Sequence, residues 1–259
     1  MAAKKQTTAV TSWDEKLAAL QQRAAKAASQ FSGGGQFGTI KLDGFTLVAD
    51  KKELPGNQMR VVVLQNVLLN TYYDEAWVPG SKATPACYAF GVEGQPMVPH
   101  ALSPKPQAAS CATCKQNEFG SHANGKMKAC ANKVRLLVMP EGGVDEPEEA
   151  DKYILDVPPT SGKFWKDGVD SLVTVGAAPE VGLLTIGTTN KTGSGAKIAL
   201  TFTKPAALPR EQAVKCLTEA ERIGPEPLCT PWAQPVEGPT SPAQTDGKGR
   251  VTKPKGSKY

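Results

Sequence analysis

Histidine is scarce in this chain: His100 and His122 are the two among 259 residues. A hydrolase built on serine, a histidine base and an orienting carboxylate therefore has few bases to draw on. Neither a G-x-x-x-x-G-K-[ST] phosphate loop nor a G-x-G-x-x-G turn behind a strand is present, which removes two nucleotide cradles readable from sequence. The His-x-Glu element of zinc deaminases is missing too, because Ala101 and Leu102 follow His100 and Ser110 stands where a proline would precede the cysteine pair. No catalytic constellation emerges, and no enzyme is expected. No apolar run approaches the roughly 20 residues of a membrane span, so no membrane association is expected. Lys4 and Lys5 are not followed by the apolar core of a secretory signal. The expected location is a reducing cytoplasm, where clustered cysteines bind metal more often than they form disulfides.

What the chain does have is turn chemistry: 25 glycines and 21 prolines, with 40% apolar and 21% charged residues. This composition reads as short strands, many turns and loose ends. Trp13, Leu17, Leu20, Ala24, Ala27 and Phe31 recur at helical spacing behind a Ser12 cap, and the SGGG run at 32–35 ends that helix as a joint. Strands are expected over 38–42 and 45–49 around the Asp43-Gly44 turn, over 59–69, 133–139 and 153–157, and over 183–188 and 196–203 around the turn-like NKTGSG run. Helices are expected over about 162–173 and 210–223. The order hairpin, long strand, insertion, strand, helix, strand, strand suits a mainly β fold with α, an OB-like five-stranded barrel. The domain plan is a helix and joint over 1–35, the OB-like domain over 36–223 with an insertion at about 85–132, and a flexible basic tail over 224–259, disordered from about 233.

Four of the six cysteines fall in that insertion. Cys111 and Cys114 form a C-x-x-C knuckle that turns both sulfurs toward one tetrahedral ion, with Cys87 before it and Cys130 after it. Zinc takes four such ligands, so Zn2+ held by Cys87, Cys111, Cys114 and Cys130 is the leading reading, with His122 or His100 able to replace one sulfur. Unconnected reduced thiols are the bland alternative. A redox pair is disfavoured because no βαβ pattern surrounds it. A closed cysteine set is structural rather than catalytic.

The same stretch is basic. Lys105, Lys115, Lys126, Lys128, Lys133 and Arg135 stand against one acid, Glu118, whereas the whole chain carries only +5. Such lysines neutralise phosphates without reading sequence, although a solvated surface is the ordinary meaning of such a cluster. Tyr72, Tyr73, Trp77, Tyr88, Phe90 and Phe119 lie nearby, and rings of this kind stack bases of a single strand. The supply of rings is small (seven Phe, four Trp, five Tyr), so some of the six must fill the core. Tyr72, Tyr73 and Trp77, in a polar stretch after a strand, are the better candidates for exposure.

Three segments carry a resemblance. They are Val67 to Tyr73 with Cys87 to Gly91; Val98 to His100, Ser103 to Gln107, Ser110 to Cys114, Phe119 to Ser121 and Lys128 to Cys130; and Pro158 to Ser161. Together they resemble tailed-phage proteins of replication and recombination modules, over roughly residues 36–222. The resemblance implies a phage single-stranded DNA-binding protein with an OB-like fold and a zinc-binding cysteine insertion, working in the infected bacterial cell beside phage replication or recombination proteins. OB fold plus zinc knuckle is similar to the T-even phage helix-destabilising proteins, with different ligand spacing here. One departure concerns the C-terminus, which is basic (Lys248, Arg250, Lys253, Lys255, Lys258) where replicative single-strand binders commonly end acidic. The alternative expectation is a zinc-stabilised interaction factor that binds a host enzyme or a virion component.

Overall fold

A computed structural model describes residues 37–43, 46–75, 84–191 and 197–232. The helix expected over 13–31, the SGGG joint, Gly44, Trp77, most of the NKTGSG turn and the basic tail from residue 233 lie outside the described residues.

The strands follow from β-branched and alternating runs. They are β1 (Gly38–Asp43), β2 (Thr46–Ala49), β3 (Lys52–Glu53), β4 (Met59–Tyr72), β5 (Cys87–Gly91), β6 (Ala131–Pro140), β7 (Tyr153–Val157), β8 (Gly182–Lys191) and β9 (Lys197–Ala207), with helices α1 (Gly162–Thr174) and α2 (Arg210–Ile223). All join one mixed sheet in the order β3-β2-β1-β7-β6-β4-β8-β9, and β5 pairs with the far end of β4. The fold is mainly β with few helices, and the sheet curls into a half-barrel. Among the described residues nine strands stand where seven were read from the sequence, because the two-residue β3 and the insertion strand β5 carry no periodic run long enough to read, and the sheet thus exceeds the expected five-stranded body by four.

Most neighbours run antiparallel, and β1 beside β7 is parallel. The ends of the sheet are drawn together by Asn57. Its Oδ1 accepts from the Leu47 backbone N–H at 2.5 Å, and its Nδ2 donates to Thr188 Oγ1 at 2.7 Å, tying β2 to β8.

Strand β4 explains why the sheet needs cover on both sides. Val61 and Val63 point into one core with Ile40, Leu136, Val138, Leu155, Ile186 and Leu200. Val62, Leu64 and Val67 point into the other with Leu137, Met139, Leu183, Cys216 and Leu228. Alternate side chains on opposite faces give this split, and a register shift between Val63 and Gln65 re-aims the strand's second half. Helix α1 covers the first face through Phe164, Trp165 and Leu172, and the Trp165 ring meets Phe202 edge-on at 5.1 Å. Its entry is pinned by buried Ser161, whose Oγ accepts from the Leu200 backbone N–H at 2.8 Å. Helix α2 covers the second face through Ala213, Cys216, Ala220 and Ile223. Cys216 is thus a small core residue.

The packed chain continues past the expected boundary at 224. Leu228 is fully buried in the second core, so residues 225–232 belong to the folded body. No helix among the described residues is long and apolar enough to cross a membrane.

Candidate metal centre and nucleic-acid face

The cysteines are gathered by strand pairing. Cys87 opens β5 opposite Tyr72 of β4, and Cys130 immediately precedes Ala131, which pairs with Thr71 on the other side of β4. The intervening chain then returns to this sheet end. The Cys111 backbone N–H donates to Met97 O at 3.0 Å, and Ser110 Oγ caps the short turn by accepting from the Ala112 N–H at 3.2 Å. The Cys130 N–H donates to Gln116 O at 2.8 Å, and the Asn117 N–H donates to Cys114 O at 2.9 Å.

All four thiols are buried, and they line one cavity of about 10 Å³ with Asn70, Tyr72, Asn117 and Gln116. A space of that size holds a single water-sized sphere. Burial pushes the Cys130 thiol up to about 12, helped by the Cys111, Cys114 and Cys87 sulfurs and opposed by Lys128. Burial also raises Cys111, against a hydrogen bond from the Asn70 side chain, and the neighbouring Cys87 and Cys114 add to the rise. Four mutually repelling sulfurs around one small space would be relieved by a divalent cation, so the donor set fits zinc chemically. The sulfurs are not drawn into a finished coordination set: among the described residues no group of three or more His, Cys, Asp or Glu side chains is arranged to hold a metal ion.

Neither histidine lines this cavity. His100 stacks on Tyr88 with centroids 5.1 Å apart, and its Nδ1 accepts from the Leu102 N–H. His122 is exposed at the tip of the insertion, its Nδ1 accepting from the Asn124 N–H.

The aromatic and basic residues separate into four places. Directly opposed residues in antiparallel strands share a face, so Phe90, Leu69 and Lys133 form one row, and Tyr88 and Thr71 another. Tyr88 is 1% exposed, beneath His100 and Trp232, whose rings lie 5.1 and 4.9 Å away. It is a core residue and offers no free stacking face, a correction to the expectation that it stacks bases. Phe90 is half-buried, and Trp232 lies nearly parallel to it at 6.4 Å. Arg135 sits over both rings at 5.9 and 5.5 Å, while its Nε and Nη2 donate to the two Asp156 carboxylate oxygens at 2.7 and 3.1 Å. That guanidinium is engaged by protein groups.

Tyr73 and Lys133 line a cleft of about 720 Å³ that opens where β1 leaves β7 beyond the Ile40–Leu155 pair; Lys41 and Asp156 complete its polar wall. Tyr73 is exposed there. Burial lowers the Lys133 ammonium and Arg135 adds to this, against the pull of Asp156. Tyr72 lies on the opposite side, against the cysteine cavity.

Phe119 occupies the tip of the insertion, 82% exposed, with Lys128 Nζ 5.1 Å from its ring centroid. Lys115 and Lys126 are exposed on the same insertion. Lys105 pairs with Asp74 at 2.5 Å. Trp77 lies outside the described residues.

Sequence reasoning missed Asn70, Asn117 and Asn132, which form a hydrogen-bonded chain behind the cysteines, and Trp232, which closes over the β5 aromatics. A polar residue facing the sheet's insertion end gave no periodic signal, and Trp232 sits in a Pro-rich stretch that reads as tail. Comparisons with protein-family models, with curated proteins and with solved structures found no match.

Proposed function

We propose that this protein is a non-catalytic single-stranded DNA-binding protein of phage replication or recombination, with an OB-like barrel and one structural zinc held by Cys87, Cys111, Cys114 and Cys130. The observation that carries the reading is the joint placement of the four thiols around one small cavity and of an exposed Phe119 with Lys128 on the loop those thiols would close. A zinc ion supplies folding energy to a loop too polar to make a core of its own. Phe119 offers a stacking face, while Lys115, Lys126 and Lys128 neutralise phosphates beside it. The cleft with Tyr73, Lys41 and Lys133 would take the next part of the strand.

For the barrel, the supporting features are the curl of the sheet, the parallel β1–β7 pair and the helix between β7 and β8. The four extra strands would then be elaborations of a five-stranded OB-like body.

The test is fluorescence titration with oligo-dT across a salt series, with zinc quantified in the same sample. Binding should weaken by about 0.7 decades per tenfold salt for each phosphate neutralised. No response of the tryptophans and tyrosines, or a salt-independent one, overturns the reading.

A second reading, a zinc-stabilised interaction factor, draws on the exposed Val214 and Leu217 of α2, one turn apart. Partners recovered from host lysate that survive nuclease treatment would favour it.

A further inference from the structure

Asn70 is a buried asparagine at the end of β4 and faces the cysteine cavity. Its orientation is dictated by a donor–acceptor chain that starts on Cys111 and ends at the cavity the cysteines line. The Cys111 carbonyl can only accept, and Asn117 Nδ2 donates to it at 2.9 Å. Asn117 must therefore turn its Oδ1 the other way, where Lys128 Nζ, which can only donate, reaches it at 3.3 Å. Asn132 meets the same oxygen at 3.0 Å, so the atom it presents is Nδ2. That nitrogen also donates to Asn70 Oδ1 at 2.5 Å. With its oxygen committed to Asn132, Asn70 has only Nδ2 left to turn toward the cavity, whose lining it shares with Cys111. Every amide in the chain has one orientation that satisfies all partners.

We propose that Asn70 is an outer-sphere positioning residue for the metal: its Nδ2–H, aimed by Asn132 and Asn117, donates to the Cys111 sulfur and sets the affinity of the four-cysteine site for a divalent thiophilic cation. The inference rests on the zinc reading above and adds the residue that tunes it. An N–H donor on a metal-bound thiolate stabilises sulfur charge without competing for the metal, and it fixes the direction of the sulfur lone pairs. Lys128, at the other end of the chain, supplies the positive charge that four thiolates around one dication call for. A solvent-facing surface would not need this arrangement, because each amide would find water.

The experiment uses the full chain, titrated anaerobically with Co2+ and then with Zn2+ against a competing chelator. The wild type, Asn70→Asp and Asn132→Asp are compared. Asn70→Asp cannot donate to sulfur and should weaken Zn2+ binding roughly 10–100-fold. Asn132→Asp repels the Asn70 oxygen, lets the amide turn over and should weaken binding in the same direction by less. In both variants the sulfur-to-cobalt charge-transfer band should move to lower energy, because the thiolate loses its hydrogen bond; a merely structural role would leave that band in place. Wild-type affinity and an unmoved band in the variants overturn the proposal while the zinc reading stands. A wild-type chain that takes up neither metal overturns both. Should Asn70→Asp fail to fold, the band position in Asn132→Asp decides the matter, because Asn70 itself is then intact.

Discussion

Lys152 Nζ and Glu219 Oε1 lie 2.9 Å apart with their side chains 5% and 1% exposed, joining the chain just before β7 to helix α2. Arg222 completes the arrangement, donating to both Glu219 oxygens at 2.7 Å, and Lys152 also donates to the carbonyls of Pro147 and Ala150. Lys152 thus ties the acidic loop down onto α2. Breaking such a pair leaves a buried charge without its partner, so Glu219→Gln should cost about 3–5 kcal/mol in urea denaturation. Burial alone would raise the Glu219 carboxyl, but hydrogen bonds from Arg222 and Lys152 outweigh it and hold the group below its ordinary value. A carboxylate held low contributes stability above its unfolded value of roughly 4.3 and loses the contribution as pH falls through the folded value. Between pH 6 and 3 the wild-type urea midpoint should therefore fall more steeply than that of Glu219→Gln.

Gly168 faces the sheet from the middle of α1. An added Cβ would stand 2.6 Å from Phe202 Cβ and 3.3 Å from its carbonyl oxygen. On an exposed helix, replacing glycine by alanine gains about 1 kcal/mol. Here the close approach reverses the sign, since overpacking costs about 1–3 kcal/mol and neither a Cβ nor a backbone oxygen can swing away. Gly168→Ala should lower the melting temperature, and a rise would show that α1 does not sit this close to β9.

Much of the sheet was legible because its central strands are β-branched runs. The strand expected over 133–139 extends to Ala131–Pro140, that over 153–157 is found as expected, and both helices fall within a residue of their expected limits. Caps and turns explain this accuracy: Pro159 and Pro209 each stop an extended segment where a helix begins. Strand β5 was not legible, because Cys87–Gly91 reads as ligand and aromatic residues and becomes a strand only through its pairing with β4. The cysteine spacing pointed to one site, and the four thiols do share a cavity. Which aromatics stay exposed was not legible, since burial of Tyr88 depends on His100 and on Trp232, the latter far away in sequence.

Tyr88 Oη is buried with no well-formed hydrogen bond among the described residues, its contact with the Trp232 backbone being a weak one. A buried, poorly paired hydroxyl recovers little of its desolvation cost, so Tyr88→Phe should leave stability unchanged or raise it by about 1 kcal/mol. Oligo-dT affinity should also be unchanged, because Trp232 and His100 cover the ring. A clear loss of binding with intact stability would show that a strand reaches this ring after displacing Trp232.

Phe119 makes no such buried contact. Phe119→Ala should shift stability by less than about 0.5 kcal/mol and weaken oligo-dT binding by about 1–3 kcal/mol, the range for one stacked base. Lys128→Gln should reduce the salt slope of binding by about 0.7 if its ammonium neutralises one phosphate. Equal affinity of Phe119→Ala and wild type would remove the insertion tip from the binding face.

Removing one thiol should separate the insertion from the rest of the sheet. The two hydrophobic cores contain none of the four clustered cysteines and draw on β1, β2, β4, β6, β7, β8, β9 and both helices, and of the insertion only Phe90 and Val92 pack against the second. The insertion contributes few apolar side chains, and several of them, Val98, Leu102, Phe119 and Met127, are exposed. Its order rests instead on backbone hydrogen bonds such as His100 N–H to Tyr88 O at 2.8 Å and Lys105 N–H to Ala86 O at 2.7 Å. Cys114→Ala should therefore abolish tight zinc uptake and raise amide exchange across about 87–130, while β4, β6 and β8 keep their protection. Oligo-dT binding should weaken without vanishing, because the Tyr73 and Lys133 cleft is lined by residues of the main sheet, among them Ile40, Lys41 and Leu155. Exchange rising equally in β8 and β9 would mean that sheet and insertion fold as one unit and that the thiols hold both together.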